Sequence, residues 1–157
     1  MIESKIYQRY KGKTIVVIAA DEFMRSVLNA HLRLIPDIAI DSYSDGEYAL
    51  DGLQHHGKDT YLIIAQSHLE QLSGFSLVKK IRSGDLHITR SLPVIIFGPE
   101  AGGLHLRELA KKLDVNVYLE EPINYSSMIS ALDKADTAKL HLMPAITYAK
   151  ITTDTID

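Results

Sequence analysis

Five short apolar segments alternate with segments of helical periodicity, and this alternation constrains the fold of the 157-residue chain more than any other feature. The apolar segments begin at Thr14, Ile38, Thr60, Leu92 and Val115. After Thr14, the first of them runs without a polar residue to Ala20, which is typical of a parallel strand covered on both faces. Strands that alternate with helices form parallel sheets flanked by helices. The sequence therefore predicts an α/β fold with five strands.

The segments between the strands carry helical spacing and capping residues. The first helix after a strand is expected to end before Pro36, because the residue before a proline avoids the helical region. Ser44 or Asp45 is the predicted cap of the second helix, and Asn124 that of the fifth. The inward face of the fifth helix is expected to carry Met128, Leu132 and Ala135.

The length of the chain suits one domain with a short addition at each end. We expect an N-terminal extension over residues 1–12, the domain over 13–142 and a C-terminal tail over 143–157. Residues 145–153 have no clear periodicity and are compatible with a strand or a loose tail. The polar end, 152–157, is expected to be disordered.

Composition excludes several classes of protein. There is no cysteine, so neither a disulfide nor a thiolate metal site can form. The net charge of −3 gives no general electrostatic attraction for nucleic acid or anionic membranes. No apolar run approaches the roughly 20 residues needed to span a bilayer, and the first residues lack the hydrophobic region of a signal peptide. We expect a cytoplasmic protein that binds neither nucleic acid nor membrane.

Five short motifs resemble, in order and spacing, the receiver domain of response regulators (CheY-like proteins) over about residues 13–134. The motifs are Phe23-Met24-Arg25, Ser44-Asp45-Gly46-Glu47-Tyr48-Ala49-Leu50, Leu72-Ser73-Gly74-Phe75, Leu92-Pro93-Val94-Ile95 and Tyr118-Leu119-Glu120-Glu121-Pro122. This resemblance implies a flavodoxin-like, doubly wound (βα)5 fold with a parallel sheet of strand order 2-1-3-4-5. It also implies that any functional residues lie at the carboxyl ends of the strands.

The residues on which receiver chemistry depends are replaced in this chain. In the family, an aspartate ending the third strand accepts the phosphoryl group. Two acids after the first strand hold Mg²⁺ with it, and a hydroxyl and a lysine after the fourth and fifth strands stabilise the phosphoryl oxygens. An ungapped alignment places at these positions Ala19 and Ala20, Gln66, Gly98, and Glu121.

These replacements remove the chemistry as well as the residue types. A neutral amide such as that of Gln66 is a poor nucleophile, and the negative charge of Glu121 would repel an acyl phosphate. The resemblance therefore implies a degenerate pseudo-receiver that is not phosphorylated. We expect no metal, no cofactor, no catalytic residue and no enzymatic activity.

A different alignment remains open. A shift of one residue puts Asp21 in the second acid position, at the cost of a deletion in the following helix. A conventional phosphorylated regulator would then need an acceptor among Gln66, Ser67 and His68. Otherwise Asp21 acts with Glu22 as an acid of the first helical turn, where it favours the positive end of the helix dipole.

The leading functional hypothesis is a protein-interaction module of a two-component or related signalling pathway. The resemblance implies a partner surface on the fourth helix, the fifth strand and the fifth helix, with Leu104, His105 and Tyr118 as candidate contacts. A homodimer through the same face is expected as well, because two-fold interfaces reuse one patch. The ring of Tyr118 is expected to keep one rotamer. The sequence does not identify the partner.

The alternative hypothesis is a sensor domain that binds a small molecule. Ala19, Ala20 and Gly98 are small, so the pocket at the strand ends is expected to be wider than in phosphorylated receivers. Ligands favour this end of an α/β sheet. However, no glycine-rich phosphate-binding loop follows the first strand.

Overall fold

The computed structural model describes residues 2–99, 103–137 and 140–153, without the side chains of residues 103, 104 and 137. Five strands are seen in these ranges: β1 (Thr14–Ile18), β2 (Ala39–Tyr43), β3 (Thr60–Gln66), β4 (Val94–Gly98) and β5 (Val117–Glu120). The α-helices of the same ranges are α1 (Ile2–Tyr10), α2 (Glu22–Leu32), α3 (Gly46–His56), α4 (Gly74–Arg82), α5 (Gly103–Lys112), α6 (Tyr125–Thr137) and α7 (Ala145–Ala149).

The strands form one parallel sheet in the order β2-β1-β3-β4-β5, which confirms the predicted fold and strand order. Near the carboxyl edge, Ile18 of β1 is level with Ala65 of β3. Farther along the sheet, Gly98 of β4 is level with Glu120 of β5. This register brings the loops that follow the strands to one edge of the sheet.

Helices cover both faces of the sheet. Residues of α3, α4 and α5 form one buried cluster, and residues of α1, α2 and α6 form another on the opposite face. Strand β1 contributes side chains to both clusters, because successive side chains of a strand point to opposite faces. Val16 and Ile18 belong to the first cluster, and Ile15 and Val17 to the second. Burial on both faces accounts for the unbroken apolar run of this strand.

Two of the predicted helix caps are confirmed by hydrogen bonds. The side chain of Asp45 accepts a hydrogen bond from the backbone N–H of Tyr48 at 2.8 Å and caps α3. Asn124 accepts in the same way from the N–H of Ser127 at 2.8 Å and caps α6. The predicted inward residues of this helix are all buried: Met128, Leu132 and Ala135.

The N-terminal extension contains a helix that the sequence analysis did not assign. Helix α1 buries Ile6 and Tyr10 completely, and the Tyr10 hydroxyl donates to the carbonyl of Leu132 in α6 at 2.9 Å. The guanidinium of Arg9 pairs with Asp133 and Asp136, each at 3.1 Å. Helix α1 is therefore packed on α6 and on the core.

The expected strand or loose tail at residues 145–153 was wrong. Residues Ala145–Ala149 form a short helix, α7, which packs against α4. The prediction of disorder over residues 152–157 was also wrong for Thr153, because this residue is buried. Tyr148 of α7 is buried as well. The order comes from contacts with distant parts of the chain, so local periodicity carried no sign of it. Residues 154–157 lie outside the described ranges.

None of the described helices has the length and apolar composition needed to cross a bilayer.

Candidate functional site

The five positions predicted from the receiver resemblance meet at the carboxyl edge of the sheet. Ala19 and Ala20 follow β1, Gln66 ends β3, Gly98 ends β4 and Glu121 follows β5. Since β1, β3, β4 and β5 are consecutive neighbours in the sheet, these positions lie side by side. The geometry of this edge therefore shows what each replacement does.

Gln66 connects the end of β3 with the loop after β1. Its side-chain oxygen, Oε1, accepts a hydrogen bond from the backbone N–H of Ala20 at 2.9 Å. The amide satisfies a backbone donor that would otherwise need water or another acceptor. At the position that the receiver resemblance assigns to the phosphoryl acceptor, the protein thus has a neutral group that joins the end of β3 to the loop after β1.

Arg25 fixes the same loop from the other side. Its Nη1 donates to the carbonyl of Ala19 at 2.6 Å and to that of Ala20 at 3.1 Å. Two carbonyl oxygens of the loop after β1 are thus engaged by a guanidinium. The sequence analysis used Arg25 only as part of a motif and missed this contact. The position of Arg25 one helical turn after the loop was the sequence signal from which this contact could have been predicted.

No free space lies beside Gly98. A methyl group built on this glycine would lie 2.4 Å from Oγ of Ser67 and 2.6 Å from the hydroxyl oxygen of Tyr118. Both distances are far below van der Waals contact, so a serine or threonine does not fit here without movement of its neighbours. The expectation of a wider pocket is not supported at this position, because Ser67 and Tyr118 fill the space.

Tyr118 is half-buried and directed toward this edge. Its hydroxyl donates to the carbonyl of Pro99 at 3.2 Å, and its ring stacks on Phe75 with 6.5 Å between the ring centroids. Burial raises the pKa of Tyr118, and the negative charge of Glu121 raises it further, whereas Arg107 lowers it. The phenol is therefore neutral at physiological pH and acts as a hydrogen-bond donor.

The loop after β5 carries two acidic residues with different contacts. The backbone N–H of Glu121 donates to the carbonyl of Gly98 at 2.9 Å, which continues the pairing of β4 and β5. The neighbouring Glu120 forms an ion pair with Arg107 of α5. Glu121 thus brings a carboxylate to the position that the receiver resemblance assigns to a lysine.

The residues at this edge do not fit a magnesium ion. Ala19 and Ala20 offer no side-chain oxygen, and Oε1 of Gln66 is engaged by a backbone N–H. Asp21, the acid of the alternative alignment, caps α2 by accepting from the N–H of Phe23 at 3.0 Å. Across residues 2–99, 103–137 and 140–153, no three or more His, Asp or Glu side chains come together as metal ligands. Mg²⁺ demands an octahedral set of oxygens, which this edge does not supply.

The candidate partner surface is arranged differently from the expectation. His105 is exposed on α5, whereas Tyr118 is only half-exposed, and the side chain of Leu104 lies outside the described part of the chain. Helix α1 already contacts α6 through Tyr125, Asp133 and Asp136. The more accessible part of this surface is a groove between α5 and β5. Its lining residues include Arg107, Ala110, Lys111, Val115 and Tyr118.

No protein-family model matches the chain. A search of curated proteins also finds no match. Solved structures with the same fold are numerous, and those compared below are all receiver domains or receiver proteins.

One is a response-regulator receiver domain protein from Clostridium thermocellum, with a TM-score of 0.69 and 20% identity over 78% of this chain and 93% of that one. Another is the chemotaxis protein CheY4 of Vibrio cholerae, with a TM-score of 0.68 and 17% identity over 78% and 98% of the chains. A third is the receiver domain of a sensor histidine kinase from Pseudomonas aeruginosa, which holds a magnesium ion in its active-site cleft. It has a TM-score of 0.68 and 20% identity over 81% and 99% of the chains.

The similarity extends over nearly the full length of these receiver domains, at sequence identities that establish the fold alone. Together with the strand order, it shows that this chain has the five-stranded α/β fold of response-regulator receiver domains.

Proposed function

We propose that the protein is a phosphorylation-independent pseudo-receiver, which acts as a protein-interaction module in signal transduction. It binds a protein partner, catalyses no reaction and works in the cytoplasm. The observation that carries this proposal is the hydrogen bond between Gln66 and the N–H of Ala20. This bond gives the residue at the acceptor position a structural role, and the side chain there is an amide instead of a carboxylate.

The other replacements support the same conclusion. Phosphoryl transfer to a carboxylate needs a nucleophile, a cation that neutralises the phosphoryl oxygens and donors that stabilise them. Glu121 adds a negative charge instead, and Ser67 and Tyr118 occupy the space beside Gly98. Because Ser67 and Tyr118 fill the space beside Gly98, the alternative of a small-molecule sensor receives no support at that position.

The fold supports a protein as the partner. Receiver domains belong to signalling pathways, and the structural neighbours include a chemotaxis protein and a domain of a sensor histidine kinase. A domain without an active site can still act by presenting a surface. In this proposal, that surface is the groove between α5 and β5 together with exposed His105, and a second copy of the chain is one candidate partner.

Treatment with acetyl phosphate and Mg²⁺, followed by intact-mass measurement, tests the loss of phosphorylation. We expect no adduct of phosphoryl mass on the protein, whereas the P. aeruginosa receiver domain, treated in parallel, reports whether the conditions permit transfer. The variant Gln66→Asp is expected to stay unmodified as well, because the other four pocket positions are unchanged. An adduct on the unaltered protein would contradict the proposal.

Affinity purification from the native host tests the surface. We expect His105→Glu and Tyr118→Ala to lose protein partners that the unaltered chain retains, with unchanged circular dichroism. The matched control is His87→Glu, since His87 is also exposed but lies at the opposite edge of the sheet. If both surface variants keep every partner, the surface is assigned wrongly.

A further inference from the structure

The segment 143–153 lies along the outside of the domain and is attached at both of its ends. Helix α7 packs against α4, and Ile151 packs against the buried cluster beneath α3, α4 and α5. Tyr148 and Thr153 are buried, whereas Ile146 and Lys150 of the same segment are exposed. One side of the segment therefore faces the domain and the other faces solvent.

Tyr148 is the principal anchor of the segment. Its hydroxyl donates to Oδ2 of Asp114 at 2.5 Å and accepts from the N–H of Met143 at 2.9 Å. The guanidinium of Arg90 lies 5.7 Å from the centre of the Tyr148 ring and donates to the carbonyl of Met143 at 2.6 Å. The tyrosine is thus held by a carboxylate at its tip and by a cation at its ring.

The groups that receive Tyr148 are positioned by the domain itself. Arg82 is fully buried and donates to the carbonyls of Arg90 and Asp114 at 2.5 and 2.9 Å. Nε of Arg90 donates in return to the carbonyl of Arg82 at 2.7 Å. None of these bonds involves the segment. Bonds within the domain therefore position the backbone of Arg90 and Asp114 and the side chain of Arg90.

A second anchor lies near the other end of the segment. The hydroxyl of Thr153 is 2.9 Å from that of Ser76, in the first turn of α4. The Ser73 hydroxyl donates to Ser76 Oγ at 3.1 Å and also caps α4. The two anchors hold a short peptide at a tyrosine and, five residues later, at a threonine.

The segment has little stability of its own. Helix α7 has only five residues, far fewer than an isolated helix needs to be stable in water. When its contacts with the domain open, the segment gains conformational freedom while the sheet keeps its own core. Docking of the segment is thus a local equilibrium that can be separated from global unfolding.

We propose that the surface formed by α4, Arg90 and Asp114 is a peptide-binding site, and that segment 143–153 is its resident occupant. The site binds a short segment that presents a tyrosine hydroxyl to Asp114, with an aliphatic residue and a hydroxyl residue following it. A partner carrying such a segment competes with the protein's own tail. The tail thereby controls access to the site, independently of any event at the carboxyl edge of the sheet.

A labelled peptide with the sequence of residues 143–153, titrated by fluorescence anisotropy, tests the proposal. The full-length variant Tyr148→Ala is expected to bind this peptide about tenfold more tightly than the unaltered chain, whose own tail fills the site. The matched control is the full-length variant Ile146→Ala, which changes an exposed residue of the same helix and should behave like the unaltered chain. A peptide carrying Tyr148→Phe is expected to bind about fivefold more weakly, because it lacks the hydrogen bond to Asp114.

Equal affinity of the variant and the unaltered chain, or no binding by either, would overturn the proposal. Circular dichroism must show that Tyr148→Ala is folded. If it is not, the full-length variant Tyr148→Phe replaces it, since it removes one hydrogen bond and keeps the ring. In that variant, amide hydrogen exchange should accelerate severalfold across residues 143–153 and stay unchanged in β1 and β3. Unchanged exchange in the segment would also overturn the proposal.

Discussion

At the carboxyl edge of the sheet, the side chains of Ser67 and Tyr118 pack directly against Gly98. The absence of a side chain at Gly98 lets the two hydroxyls approach its backbone more closely than any β-carbon permits. A serine or threonine at position 98 would therefore create a steric conflict with these two hydroxyls.

The substitution Gly98→Ala tests this relation. We expect a loss of about 1–3 kcal/mol in the free energy of unfolding, because the added methyl would overlap with Ser67 Oγ and the Tyr118 hydroxyl. In the background Ser67→Ala/Tyr118→Phe, which lacks both oxygens, the same substitution should cost about 1 kcal/mol less. Urea unfolding of the four proteins measures the coupling. Equal costs in both backgrounds would show that these hydroxyls do not fill the space.

The sequence predicted that Gln66 and Gly98 lie at the strand ends but not what they contact. The order of apolar segments and caps was sufficient to place Gln66 and Gly98 at the strand ends. The roles of Ser67 and Arg25 depend on side-chain directions across neighbouring strands and loops, which a linear pattern does not contain. Contacts of this kind decide whether the space beside a small residue stays empty or is occupied by a neighbouring side chain.

At the scale of elements, the five strands and the helices between them were predicted, whereas α1 and α7 were not. Helix α1 does carry a local signal, since Ile2, Ile6 and Tyr10 recur at intervals of four residues. In α7 five residues are too few for periodicity, and the burial of Tyr148 depends on Asp114 and Arg90, which are distant in sequence.

Helix α1 is expected to contribute to global stability. The substitution Ile6→Ala should lower the free energy of unfolding by about 2–4 kcal/mol, because Ile6 is fully buried in the cluster formed with α2 and α6. The matched control Ile2→Ala changes the same residue type in the same helix, where it is 45% exposed, and should cost less than about 1 kcal/mol. Urea unfolding followed by circular dichroism measures both. Similar losses in the two variants would mean that α1 is not specifically packed.

On the scale of the whole molecule, the two terminal additions cover opposite faces of the same sheet. Helix α1 covers part of α6 on one face, and segment 143–153 covers part of α4 on the other. Both are attached through tyrosines: Tyr10 donates to the carbonyl of Leu132, and Tyr148 donates to Asp114. Both attachments thus include a hydrogen bond that only a protonated phenol can donate.

Burial is the largest cause of a raised pKa at six tyrosines. They are Tyr10, Tyr43, Tyr61, Tyr118, Tyr125 and Tyr148. In the unfolded chain these phenols lose their protons near pH 10. Above that pH, the folded state binds more protons than the unfolded state, so stability falls as pH rises. Arg82 acts in the opposite direction, because burial lowers its pKa to about 10, but it is one group against six.

We therefore expect the urea midpoint to be lower at pH 10.5 than at pH 8, with the loss continuing as the pH rises further. The variant Tyr10→Phe should reduce this pH dependence, since it removes a buried phenol with a raised pKa. Its matched control is Tyr48→Phe, which changes a tyrosine that is 69% exposed and should leave the pH dependence unchanged. A midpoint that stays constant or rises between the two pH values would contradict the raised pKa values of these tyrosines in the folded state.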